Sequence, residues 1–197
     1  MGNFHLYQLI NASPGIGPVR LAVAVAVAQW LIYGVPFAMV LAWVRADLVT
    51  RRELLQMLMA GLLSLALAQL VAFVWPQPRP AALHMGTQYL LHAADAGLPS
   101  DHVTVFWSLG IAALMTRRLA VCGLPLLALG LMVGWSRVYL GVHFPLDVLA
   151  ALPVAVAGAA AARALRQSTM PLVGRLLYAC DRLEKPIRQR FHRLPRP

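Results

Sequence analysis

The residues of this chain best suited to chemistry lie in three short stretches: Arg79-Pro80, Pro99-Ser100-Asp101-His102, and Ser136-Arg137 followed by His143 and Asp147. Arg79 and Arg137 carry planar, permanently charged guanidinium groups that make paired hydrogen bonds to phosphate oxygens. Pro99-Ser100 ahead of an apolar run reads as a helix start. Ser100 is then the N-cap, and the backbone amide of Asp101 sits at the positive end of the helix dipole, which favours an anion. His143 and Asp147 are four residues apart, and Pro145 between them suits the first turn of a helix, so Asp147 reaches back one turn to the imidazole. A carboxylate that accepts one imidazole N–H leaves the other nitrogen free and more basic, as attack on phosphorus requires. His102 is placed to protonate the departing oxygen. Ser136, beside Arg137, is a weaker phosphate contact. Singly, a capping serine, a headgroup-bound arginine and a solvated histidine are the plainer readings. Their combination fits removal of a phosphoryl group from an ester or anhydride, with no metal and no other cofactor.

The elements that must hold these residues are membrane helices. Sixty per cent of the 197 residues are hydrophobic and 12% are charged, and the apolar residues come in long blocks. Spans are expected at Leu21–Val44, Leu54–Trp75, Val103–Met115 with its flanks, Leu119–Trp135 and Leu146–Leu165, each near the ~20 residues that cross a bilayer. The third is short, and counts as a span only if it begins at about Pro99. The first is too long and too poorly preceded by basic residues for a signal peptide. Its Ala-Val alternation imitates a strand, but its length and its two apolar faces decide for helix. Phe4 to Ile10 reads as a short interfacial helix. The small-residue run from Ala155 to Ala162 suits close helix packing. The fold class is therefore all-α: a polytopic membrane bundle of about five spans, with residues 1–166 as the embedded domain and 167–197 as a basic tail.

Charge placement orients the spans. Arg45, Arg51, Arg52, Arg117, Arg118 and the nine basic residues from Arg163 onward fall on one side, which the positive-inside rule makes cytoplasmic. Only Arg20, Arg79 and Arg137 fall on the other, so the three motif stretches face outward and the C-terminus faces in. Two of those three arginines belong to the motifs, and an arginine that defies the topological bias is a functional candidate. The tail reads as an anchor on anionic membrane lipids rather than a nucleic-acid arm. Cys122 and Cys180 lie where no disulfide is expected.

These stretches resemble the three signature motifs of the type-2 phosphatidic acid phosphatase superfamily. The run from Ser136 through Asp147 is similar to the third motif throughout. The Pro-Ser-Asp-His version of the second, preceded by His92-Ala93-Ala94-Asp95, resembles that of bacterial undecaprenyl-diphosphatases of the bacitracin-resistance type. The likeness runs from Ile10-Asn11-Ala12-Ser13-Pro14 to the end of the fifth span. It implies a multi-pass protein of the bacterial plasma membrane acting on a polyprenyl diphosphate at its periplasmic face. It also implies a phosphohistidine on His143, acid–base work by His102, orientation of His143 by Asp147, and phosphate binding by Arg79, Ser100 and Arg137. Two departures stand out: Ala72 where the first motif has a lysine, with His84 and His92 as the other basic groups of that loop, and Asp101 where most members have glycine. A carboxylate at 101 repels phosphate unless it turns toward a neighbouring donor or is neutralised. Two other readings stay open: a phosphatase of another lipid phosphate, such as phosphatidylglycerophosphate, phosphatidate or lipid A, and a non-enzymatic anion binder.

Overall fold

The computed structural model describes residues 2–90 and 95–192, without the side chains of 170, 176, 180, 181 and 183–192; His92 and the last residues of the tail lie outside it. The described residues form helices and loops only. A short helix α1 (Asn3–Ile10) precedes a first long helix built of α2 (Pro18–Val25), a π-helical segment Ala26–Trp30, and α3 (Leu31–Arg45). Then come α4 (Leu48–Val74), α5 (Asp101–Leu114), α6 (Gly123–Tyr139) and α7 (Pro145–His192).

Four helical stretches are long and apolar enough to cross a membrane: Pro18–Arg45, Leu48–Val74, Ala120–Tyr139 and Pro145–Thr169. With the short α1 and the shorter apolar α5, they give the expected multi-pass bundle. Their lipid-facing surfaces carry residues such as Phe37, Phe73, Val121 and Leu149, all more than half exposed. The 14 residues of α5 reach only ~21 Å, short of a bilayer core of ~30 Å. It starts at Asp101 rather than at about Pro99, and it is recessed at both ends. Asp101 meets Gln69, well before the end of α4 at Val74, and the turn after α5 meets Glu53, inside the start of α4 at Leu48.

Glu53 is buried because it accepts the backbone amides of Arg117, Arg118 and Leu119 at 3.1–3.3 Å, closing the α5–α6 turn. Asp47 caps α4, accepting from the Thr50 amide at 3.0 Å and its hydroxyl at 2.7 Å; these bonds hold its carboxyl down to about 2. The small-residue run of α7 packs on α4 as its composition suggests, with Gly158 so close to Ser64 that a Cβ there would collide with the Ser64 backbone. Beneath the motif residues, Val103, Trp107, Val138, Val148 and Ala151 form a packed cluster with Tyr7 and Phe144. α7 continues without a break past residue 166, so the basic segment prolongs the last span.

Candidate active site

His143 and Asp147 are almost fully buried, and the His143 Nδ1 stands 3.2 Å from Asp147 Oδ2. The same oxygen accepts the Phe144 amide at 2.9 Å, which fixes the carboxylate in the first turn of α7 as the Pro145 signal predicts. The turn that delivers His143 uses Gly141 at φ +84, a left-handed conformation where a Cβ would strike the Thr87 carbonyl. On the other side, α1 covers the site. Tyr7 and Phe4 stack edge-on against Phe144 with centroids 5.1 and 5.2 Å away, and Asn3 accepts the Leu146 amide at the start of α7.

Arg79 enters from the loop between α4 and α5. Its Nη1 lies 3.3 Å from His143 Nδ1 and 3.1 Å from Nε2, so a phosphate held by this guanidinium is adjacent to the imidazole. Its Nη2 donates to the Ala96 carbonyl at 3.2 Å, and its Nε to Asp95 at 2.8 Å. Gly97 passes so close to both Arg79 and Asp147 that a Cβ would stand 3.1 and 3.0 Å from them. The loop is tied down by Asn11, whose side chain binds Thr87 twice and the Tyr139 carbonyl once, and by the Tyr7 hydroxyl donating to Met85.

Arg137, on the last turn of α6, is buried and donates from Nη1 to the Ala28 carbonyl at 3.1 Å. Ala28 lies in the π-helical segment, where wider i→i+5 spacing disturbs the regular carbonyl ladder. The Arg137 Nε has no partner and neither does the buried Ser100 Oγ. Ser100 stands at the N-cap position as expected, yet its hydroxyl makes no capping bond. Its amide donates instead to the Asp147 carbonyl at 3.0 Å, joining α5 to α7. Unpartnered buried donors are uncommon and costly, and here two belong to groups suited to phosphate.

Asp101 turns away, as a carboxylate beside an anion must: both its oxygens accept from the Gln69 side chain at 3.1 Å. Ala72 follows Gln69 by one turn of α4, so a neutral amide serving Asp101 stands near the place of the family's lysine. His102 is half-buried in the first turn of α5. His84 is exposed and ends a 3₁₀ turn, Pro80–Leu83, in a left-handed conformation. Ser136 faces elsewhere. With Val19, Arg20, Val23, Val27, Leu131 and Trp135 it lines an apolar groove of about 710 Å³ between the first helix and α6. Sequence reasoning missed Asp95 as a partner of Arg79, Gln69 as the partner of Asp101, and the Ala28 carbonyl. The first had a signal, being an acid in an acid-poor loop; the last, a backbone group, had none.

A multi-pass helical membrane protein with a buried histidine–aspartate pair flanked by two buried arginines is thereby defined. Residues 53–170 match the model of the PAP2 superfamily. YbjG of Escherichia coli (strain K12), to which undecaprenyl-diphosphatase activity is attributed, is 36% identical over 166 residues, covering 84% of this chain and 83% of that one. The undecaprenyl-diphosphatase BcrC of Bacillus subtilis is 30% identical over 78% of this chain and 79% of its own. The chain belongs to the PAP2 superfamily. The crystal structure of Aquifex aeolicus LpxE shares the fold, with a TM-score of 0.64 at 21% identity, over 80% of this chain and 92% of that one.

Proposed function

We propose that this protein is an undecaprenyl-diphosphate phosphatase that removes the terminal phosphate of the polyprenyl diphosphate carrier at the outer face of the bacterial plasma membrane and so returns the carrier for cell-wall synthesis. The observation that carries the reading is the set of two buried arginines and an orphan serine hydroxyl around a histidine held by a buried carboxylate. Arg79, Arg137, Ser100 and the Asp101 amide bind the terminal phosphate, while Ser136 lines the neighbouring groove. Asp147 fixes the His143 proton on Nδ1, and the Nε2 lone pair attacks phosphorus. The bond to the bridging oxygen breaks, His102 gives its proton to the departing lipid monophosphate, and a phosphohistidine forms. Water then attacks that phosphorus, His102 takes its proton, and inorganic phosphate leaves. An incoming phosphate displaces the Asp95 carboxylate from Arg79, exchanging one anion for another. Oxygen and nitrogen donors alone hold the phosphate in this scheme, so no divalent metal is required.

The substrate class is supported by the relatives' attributed activities and by the groove. It runs ~12 Å along α6 from Tyr139 to Leu131, passing Ser136 next to Arg137, with Arg20 in its wall and apolar residues around it. This suits a diphosphate above and the first isoprene units beneath. A diphosphate also leaves as a phosphate monoester, which asks less of a site with Ala72 in place of lysine. The outward orientation rests on the distribution of basic residues, fourteen of 17 on the opposite side. The test is the ratio of kcat/KM for undecaprenyl diphosphate to that for phosphatidylglycerophosphate in one detergent. A ratio above one is expected, and a preference of roughly tenfold the other way (about 1.4 kcal/mol) overturns the substrate while leaving the catalytic set in place.

A further inference from the structure

Far from His143, Arg52 of α4 and Arg163, Arg166 and Arg175 of α7 line a single groove of about 810 Å³, with Tyr178 at its end. No acidic residue lines it among the described residues. The α7 members recur at helical spacing, so they form one face turned toward the start of α4. Gly174 lies on this face, and a Cβ there would stand 2.8 Å from the Arg52 Nη2. Glycine is what lets that guanidinium lie against the helix backbone. Four guanidinium groups converging on one concavity repel each other unless an anion sits among them.

The position of the groove names the source of the anion. Arg163 is 18 residues beyond Pro145, hence ~27 Å along the helix, about the thickness of the hydrocarbon core. The groove therefore opens at the headgroup level of the leaflet opposite His143. Leu165, 45% exposed and two residues from Arg163, stands at this boundary and offers apolar surface to an acyl chain. We propose that this groove binds the headgroup of an anionic phospholipid carrying two phosphates. Paired guanidinium contacts to phosphate oxygens supply the recognition. A singly charged headgroup leaves most of the arginine charge uncompensated, and a zwitterionic one brings a cation with it. The inference is independent of the substrate proposed for His143.

The experiment is native mass spectrometry and thermal unfolding of the full chain in detergent, with three probes: a diphosphatidyl lipid, phosphatidylcholine, and inorganic pyrophosphate. Two variants accompany the wild type. Arg163→Gln/Arg166→Gln removes half the charge, and Gly174→Leu fills the groove while keeping every charge. The diphosphatidyl lipid is expected to stay bound as one copy and to raise Tm, with phosphatidylcholine doing neither. Its affinity is expected to fall roughly thirtyfold in the double arginine variant, and to fall also in Gly174→Leu. Undiminished lipid binding in both variants overturns the site. Stabilisation by pyrophosphate that matches the lipid and vanishes in the double variant overturns the lipid source in favour of a soluble anion.

Discussion

The first long helix and the helices behind it are held in very different ways. In its most apolar stretch 11% of the first helix is buried, against 39% in the stretches leading to Tyr139 and from Pro145. The inner helices and the turns that lead into them carry the Arg137, Ser100, His143 and Asp147 side chains, cross-linked by hydrogen bonds from Ser100 to Asp147 and from the overlying loop to α1. The first helix offers the site no charged side chain beyond Arg20 in the groove wall, and one backbone carbonyl. Under the proposed function the difference separates two tasks: reaction at phosphorus would fall to the packed inner helices, and choice of lipid to the loosely packed seam.

The sharpest way to break this division is to remove the nucleophile. His143→Ala is expected to lower turnover by roughly 10⁴-fold or more on every substrate, long-chained or short. Wild-type rates in that variant exclude the phosphohistidine. Asp147→Asn is expected to cost ~10³–10⁴-fold in kcat with the fold retained, because the wrong imidazole tautomer is then favoured. His102→Ala should lose ~10²–10⁴-fold on the lipid diphosphate, and far less on an aryl phosphate whose leaving group needs no proton. Equal losses on both substrates count against His102 as the acid.

The seam calls for a different signature. Val23→Trp with Leu131→Trp fills the groove from both walls at positions that are 60% exposed, so folding is undisturbed. KM for a long polyprenyl diphosphate is expected to rise roughly tenfold, with kcat on a short-chain diphosphate unchanged. A matching loss on both chain lengths erases the distinction between the two regions. The smallest effect is expected from EDTA: activity survives chelation, measured as phosphate release from a substrate stripped of metal. Strict dependence on an added divalent ion overturns the proposed chemistry.

What could be read in advance follows from what residue types encode. The long apolar blocks announced the bundle, and the i,i+4 spacing of His143 and Asp147 announced their contact, because both depend on local periodicity. That α5 is short and starts after Ser100 was legible, but not that Gln69 and Glu53, distant residues on α4, would meet its two ends. Ser100 looked like a capping residue by type, but its amide is committed to α7 and its hydroxyl is left over. The role of Asp101 was legible only as a requirement to turn away or be neutralised; that Gln69 would receive it depended on tertiary contact. The groove is a gap between two helices, and gaps carry no residue signature.

The π-helical segment at Ala26–Trp30 can also be viewed as a matter of phase. One extra residue in a helix rotates everything before it by ~100° relative to everything after. The face of α2 presented to α6 is therefore set by an insertion rather than by side-chain chemistry. Deleting a single residue there, with hardly any change in hydropathy, is expected to swing Val19, Arg20 and Val23 off the groove and to withdraw the carbonyl from Arg137. If the groove selects the lipid as proposed, such a one-residue change in the first helix is expected to shift lipid preference, and to disturb Arg137 with it.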